Sequence, residues 1–325
     1  MTDASAAPAF RAVAQASGEP ADTVIRVSGL RMAYGTTEVL KGVDFTAARG
    51  EVVALLGPNG AGKTTTVEIL EGFRGRSGGE VEVLGADPAR GGEDWRAGIG
   101  VVLQSWRDHG RWKVRDLLHH FGRFYAPYST PGHVRPYGTD ALLERVGLAE
   151  HADRRVNKLS GGQRRRLDVA IGVVGRPRVL FLDEPTAGFD PEARRDFHAL
   201  VHDIVDQDDT TVLLTTHDLD EAEKLADRIL LLAGGTIVAD GSVEQLSGLV
   251  EQDSEVSWRV GGRRHVHTTA HPARHVAELY EKHGADLADL RVSRASLEDV
   301  YVELVRSHES GDADLAAREF VKGIR

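Results

Sequence analysis

A lysine and two threonines close the glycine-rich run Gly57-Pro58-Asn59-Gly60-Ala61-Gly62-Lys63-Thr64-Thr65. That combination can hold phosphate. Glycines let successive backbone N–H groups turn inward around phosphate oxygens where a Cβ would intrude. A helix opening at Thr64 adds the positive end of its dipole behind those oxygens. Lys63 would reach the β- and γ-phosphates, the Thr64 hydroxyl would ligate Mg²⁺, and Thr65 is a further phosphate donor. The apolar run Glu51–Leu56 before the loop reads as a buried parallel strand, and Thr64–Gly72 after it as a helix. This strand–loop–helix order separates the motif from a chance glycine-rich turn.

Two adjacent carboxylates, Asp183 and Glu184, end a second apolar run that begins at Arg178. A buried strand of this kind delivers its last residues to the carboxyl edge of a parallel sheet. Beside a bound nucleotide, Asp183 suits the Mg²⁺ shell and Glu184 suits orienting or deprotonating a water. His217 lies just past the strand Thr210–Thr215, at the start of a helix Asp218–Ala226, and Gln104 ends the run Ile99–Leu103. Taken alone, either residue is as readily a turn residue as a functional one.

Leu159-Ser160-Gly161-Gly162-Gln163 opens a helix that runs to Val174, with Ser160 as its cap. The phosphate loop together with this string resembles the ATP-binding-cassette (ABC) ATPases. The loop Pro185-Thr186-Ala187-Gly188-Phe189-Asp190 adds to the likeness, with Phe189 where the family more often has Leu. The resemblance implies roles for further residues. Tyr34 stacks on adenine, Gln104 senses Mg²⁺ and the γ-phosphate, and His217 holds the water–Glu184 pair in line. Ser160, Gly161, Gly162 and Gln163 face the γ-phosphate held by a second copy of the chain. The implied ligands are ATP and Mg²⁺, sandwiched in a homodimer of two-fold symmetry. Arg164, Arg165 and Arg166 either steer ATP or meet an acidic partner surface, or else form a solvated helix face.

The elements that must position these groups define the fold class. It is α/β, a P-loop NTPase (RecA-like) parallel-sheet core with an inserted helical subdomain and a small α+β C-terminal domain. The ATPase domain covers 23–240, with sheet strands drawn from Thr23–Leu103 and Arg176–Ala239. The helical insertion covers about 104–175, with helices Leu117–Phe124 and Asp140–Val146. Within it Trp106, Trp112, Phe121 and Tyr125 are either contacts for a membrane partner or a local apolar core. An accessory domain spans 241–306, with strands Glu255–Val260, His265–Thr269 and Leu287–Val292 and a helix Ala273–Lys282. Residues 1–22 read as a disordered tail and 307–325 as a mobile one.

The stretch Ser296–Leu304 looks like the end of daunorubicin-resistance type ATP-binding subunits, which energise ABC-2 exporters. The implied function is the ATPase of such an exporter, at the cytoplasmic face of the membrane and held there by a separate polytopic permease. Drug or antibiotic efflux follows by the same likeness. A soluble ABC ATPase acting on ribosomes or DNA, or an importer ATPase, would share every catalytic residue.

Composition narrows the partners. The 325 residues carry a formal net charge of −10 and no long basic stripe, against nucleic acid as a main partner. The absence of cysteine excludes disulfides and thiolate metal sites. No apolar stretch approaches the roughly 18 residues that span a bilayer.

Overall fold

The computed structural model describes residues 22–102, 109–247, 254–269 and 271–293, together with Glu298 and Tyr301. Chain contacts divide it into a unit covering 18–238 and a second unit that begins at Ala239.

The larger unit starts with two long strands, β1 (Thr23–Tyr34) and β2 (Thr37–Ala48), then a short one, β3 (Val52–Leu56). Helix α1 (Lys63–Leu70) follows the phosphate loop, and β4 (Gly78–Val83), α2 (Glu93–Ala97) and β5 (Ile99–Val102) complete the first stretch. The helices α3 (Val114–Tyr125), α4 (Thr139–Arg145) and α5 (Gly161–Val173) come next. The chain then returns to the sheet through β6 (Val179–Asp183), α6 (Pro191–Asp208), β7 (Thr211–Thr216), α7 (Leu219–Leu225), β8 (Arg228–Ala233) and β9 (Thr236–Gly241).

Sheet order is β5-β6-β7-β3-β8-β9, and the pairs β5–β6, β6–β7, β7–β3 and β3–β8 are parallel. All five residues of β3 and all six of β7 are buried, as a sheet covered on both faces requires. The carboxyl ends of β3, β6 and β7 therefore stand side by side, and each carries residues singled out by the sequence.

One feature of the sequence reading is corrected. The Thr23–Leu103 stretch does not all join the parallel sheet, because β1, β2 and β4 form a separate antiparallel sheet of order β2-β1-β4. The polar residues Arg26, Ser28, Lys41 and Asp44 among apolar ones give these strands one wet face, the antiparallel habit. Their dry face packs Ile25, Leu30, Leu40, Val43 and Phe45 into one core with Leu55, Leu70, Phe181 and Leu213.

In the second unit, α8 (Val243–Ser247) precedes β10 (Ser254–Val260) and β11 (Arg263–Thr269), an antiparallel pair turning at Gly261-Gly262. Helix α9 (Pro272–His283) and β12 (Ala288–Ser293) follow, and β12 pairs antiparallel with β10. Most of the Ser296–Leu304 helix, residues 307–325 and nearly all of 1–22 lie outside the described residues.

Candidate functional site

The phosphate loop is shaped by what surrounds it. A Cβ at Gly57 would come within 2.2 Å of the Leu232 carbonyl oxygen, so the loop can start only with glycine. Gly62 has φ +107, and a Cβ there would meet Leu40 Cδ2 at 2.6 Å. Both positions combine close approach with, at Gly62, a left-handed backbone that only glycine tolerates cheaply. Gly62 is also the N-cap of α1, whose first turn contains Lys63, Thr64 and Thr65.

Lys63 is 6% exposed, and its Nζ donates to the carbonyls of Gly57 at 2.7 Å and Pro58 at 3.1 Å. The ammonium thus spans the mouth of its own loop. Burial pulls its pKa down, while the charges of Glu184 and Asp183 push the other way. Thr64 is exposed and Thr65 half-buried, whereas the Thr66 hydroxyl is consumed by the Gly62 carbonyl at 2.9 Å. Tyr34 ends β1, is 43% exposed, and carries the Arg74 guanidinium 5.2 Å from its ring centre.

Beside the loop, Thr215 holds the Asp183 carboxylate and the Glu184 backbone. Its hydroxyl donates to Asp183 Oδ1 at 2.5 Å and accepts the Glu184 backbone N–H at 3.1 Å. The same N–H also reaches the Thr215 carbonyl at 3.1 Å. Glu184 has φ +41, in the left-handed region, a strained conformation for a side chain of this size. His217 Nδ1 lies 3.2 Å from Glu184 Oε1, and Asp218 behind it caps α7 by accepting from the N–H groups of Asp220 and Glu221. The adjacency of β6 and β7 is thus what brings Asp183, Glu184 and His217 together. Below them Glu71 is 5% exposed, and its carboxyl is pushed up to about 8 by burial first, then by Asp183 and Glu68.

Ser160 caps α5 through a reciprocal capping box with Gln163. Gln163 is also held at the far end of its side chain, its Nε2 lying 2.8 Å from His151 Nε2. Nothing approaches within 4 Å of where a Gly161 Cβ would stand, so the helix start is open to a visitor. The opening is a cleft of about 920 Å³ whose walls are the start of α5, residues 187–190 and the start of α6. No residue of the phosphate loop lines it.

The three arginines line the same cleft, with their charges met inside the chain. Arg164 pairs with Asp168 at 3.0 Å, Arg166 with Asp196, and Arg165 is buried at 7% exposure with its Nε on the Pro185 carbonyl at 2.8 Å. The run is therefore largely consumed within the chain.

Among the aromatic candidates, Trp112 is 39% exposed within ring contact of His109 and His120. Tyr125 packs its ring onto Gly175, and burial raises its phenol pKa, so it is a local packing residue. Phe124, not singled out by sequence, is 62% exposed in its place. Gln104 and Trp106 lie outside the described residues. Sequence reasoning gave no structural part to Thr215 or Glu71 and did not expect Arg165 to be buried. Thr215 had a signal, a hydroxyl at the wet end of an apolar strand; the other two carried none.

Among the described residues no group of three or more His, Asp or Glu side chains is clustered to hold a metal unaided, and no helix is long and apolar enough to cross a membrane.

A family model described as ABC transporter matches residues 40–187. The daunorubicin resistance ATP-binding protein DrrA3 of Streptomyces coeruleorubidus is 42% identical over 226 residues, 70% of this chain and 70% of that protein. The doxorubicin resistance ATP-binding protein DrrA of Mycobacterium tuberculosis is 39% identical over 227 residues, 69% of this chain and 67% of its own. The Nod factor export ATP-binding protein I of Ralstonia nicotianae is 38% identical over 224 residues, 69% of this chain and 68% of its own. A solved ATP-binding subunit of an ABC transporter superposes with TM-score 0.62 at 22% identity, over 87% of this chain and 99% of that one. At that identity the likeness concerns the fold.

Proposed function

This chain belongs to the ATP-binding subunits of ABC transporters, of the daunorubicin-resistance type, and on that premise we propose that it powers an ABC-2 exporter as a homodimer beneath a separate membrane permease. ATP is its nucleotide and ATP hydrolysis its reaction. Relatives named for daunorubicin resistance, doxorubicin resistance and Nod factor export support the outward direction.

The observation that carries the dimer is the cleft at Ser160, an open helix start with no phosphate loop of its own chain. A second copy supplies what is missing if its loop and bound ATP enter that cleft. Two copies then complete two sites, each combining the loop of one chain with Ser160, Gly161, Gly162 and Gln163 of the other.

Within each site the chain's own residues divide the work. Lys63 exchanges its contacts with Gly57 and Pro58 for phosphate oxygens. The backbone N–H groups of Gly60, Gly62 and Lys63, with Thr65, hold the rest of the phosphate, and Tyr34 offers a face to the base. Mg²⁺ fits the donors present. The Thr64 hydroxyl and Asp183 carboxylate are hard oxygen ligands, too few to hold the ion alone, as suits an ion shared with phosphates and water. When bound it would neutralise charge on the transferring phosphoryl group. Glu184 takes the proton or aligns the water, His217 fixes that carboxylate, and Gln104 lies outside the described residues but retains its assigned role at Mg²⁺.

Closing the dimer on ATP and reopening it after hydrolysis would switch access in the permease. Trp112 and Phe124 give the helical region an exposed aromatic surface of the kind interfaces use as anchors. The test is to tag the chain, solubilise native membranes gently and identify what co-purifies. One polytopic membrane protein supports the exporter reading; ribosomal or DNA-bound partners alone would replace it by a soluble ATPase.

A further inference from the structure

Arg165 follows the Ser160–Gln163 string so closely that a role toward a partner's nucleotide is the natural assumption. Its side chain goes elsewhere. It leaves the surface, is 7% exposed, and donates from Nε to the carbonyl of Pro185, the residue directly after Glu184. Although Arg165 is among the residues that line the Ser160 cleft, its guanidinium turns inward, and we propose that it is a positioning residue for Glu184 of its own subunit, holding the peptide that follows the carboxylate. The proposal rests on the dimeric ATPase reading above.

The argument begins with the backbone of Glu184. Its φ of +41 is strained, and such a conformation persists only where neighbours over-determine it. Before the side chain, the hydroxyl and carbonyl oxygens of Thr215 both accept the Glu184 N–H. After it, Arg165 holds the Pro185 carbonyl, and the Ala187 N–H closes a turn onto the Glu184 carbonyl at 3.3 Å. The next residue is enclosed too. Thr186 is 2% exposed and sits near the Glu221 carboxyl of α7, itself 2% exposed, whose pKa is raised by burial first.

The Pro185 peptide is therefore held by a buried guanidinium on α5, in a setting that also encloses Thr186. A buried cation is costly unless compensated. Here burial pulls the guanidinium's pKa down, and the charges of Asp168, Asp183 and Glu221 oppose that shift without cancelling it. Without the guanidinium, the Pro185 carbonyl loses its donor and Glu184 can relax toward an ordinary backbone, swinging its carboxylate off His217. Because α5 begins at Ser160, the same contact ties the position of that helix start to Glu184 of the same chain.

Two roles predict opposite results in a mixed dimer. A residue that served the partner's nucleotide would affect the partner's site; a residue that positions Glu184 affects its own. The experiment pairs two differently tagged full-length chains with the membrane partner. One chain carries Glu184→Gln, so that a single intact Glu184 remains, and Arg165→Met is placed in one chain or the other.

With Arg165→Met in the chain that keeps Glu184, kcat is expected to fall about ten-fold or more with KM for ATP within about two-fold. In the opposite chain the fall should be at least about five-fold smaller. Arg165→Lys, which keeps the charge but loses the fork, should show the same bias at smaller amplitude. If the Met variant does not fold, the Lys variant carries the comparison. Equal losses in both placements, a larger loss from the opposite chain, or no loss overturns the proposal. Failure of the two chains to pair in ATP overturns the dimer reading and this inference together.

Discussion

Glu184 and His217 end neighbouring strands of one sheet, and the Oε1 of the first lies 3.2 Å from the Nδ1 of the second. The contact fixes where a water could be deprotonated beside the phosphate loop, whose Lys63 feels the Glu184 charge. Glu184→Gln keeps the shape and removes the base, so turnover should fall by on the order of 10²–10⁴ while ATP still binds. In excess ATP the variant should run as a stable dimer by light scattering. His217→Ala should also slow turnover, with a smaller loss. A Glu184→Gln chain that stays monomeric in saturating ATP would refute the shared site.

Thr215 deserves a separate substitution because one hydroxyl serves two acids. Thr215→Val conserves volume in a fully buried position but removes the donor to Asp183 and one acceptor for the Glu184 N–H. We expect about 1–3 kcal/mol of lost stability by denaturant titration. Hydrolysis should fall more than nucleotide binding does. Unchanged kcat in a folded Thr215→Val protein would mean that the backbone alone orders the pair.

Lys63→Ala removes the ammonium that spans the loop carbonyls of Gly57 and Pro58. Productive ATP binding should be lost, seen as absence of fluorescent-nucleotide binding, with the fold retained by circular dichroism. Full hydrolysis in this variant is incompatible with the role assigned to Lys63.

Glu71 gives the nucleotide-free protein a pH signature. Its carboxyl titrates near 8 in the folded chain against a reference value of 4.5. The folded state therefore holds a proton that the unfolded chain releases between those values. Stability from this group is full below about 4.5 and declines as pH rises toward 8, by about 1.4 kcal/mol per unit at most. Glu71→Gln cannot lose that proton. Its unfolding midpoint should fall less than the wild type's between pH 5 and pH 8, and parallel curves would show that Glu71 titrates normally.

The residues that the sequence singles out are brought together at the ends of neighbouring strands, while several that hold them in place passed unremarked. Lys63, Thr64, Asp183, Glu184 and His217 were legible because each sits at the end of an apolar strand or inside a glycine-rich loop, both patterns local in sequence. The capping box at Ser160 was legible for the same reason. Arg165 was not, since burial on a helix face depends on what packs against it, and its charge pointed to solvent. The antiparallel sheet of β1, β2 and β4 escaped because partner choice is non-local. The alternation that marks it was present in Arg26, Ser28, Lys41 and Asp44 but went unread beside the stronger motifs.

The place of β3 in the sheet has a consequence for how the molecule is made. Its two neighbours, β7 and β8, both come from the chain after residue 210, and the Leu232 carbonyl that backs onto Gly57 belongs to β8. A ribosome therefore reads out the whole phosphate-loop motif long before it supplies the strands on either side of it. Until Thr216 has emerged, the strand leading into the loop has both hydrogen-bonding edges bare, and until Ala233 has emerged it still has one. The nucleotide pocket is among the first parts of this protein to be synthesised and among the last that can take shape, and a nascent chain stalled before β8 would present an intact motif with no capacity to bind.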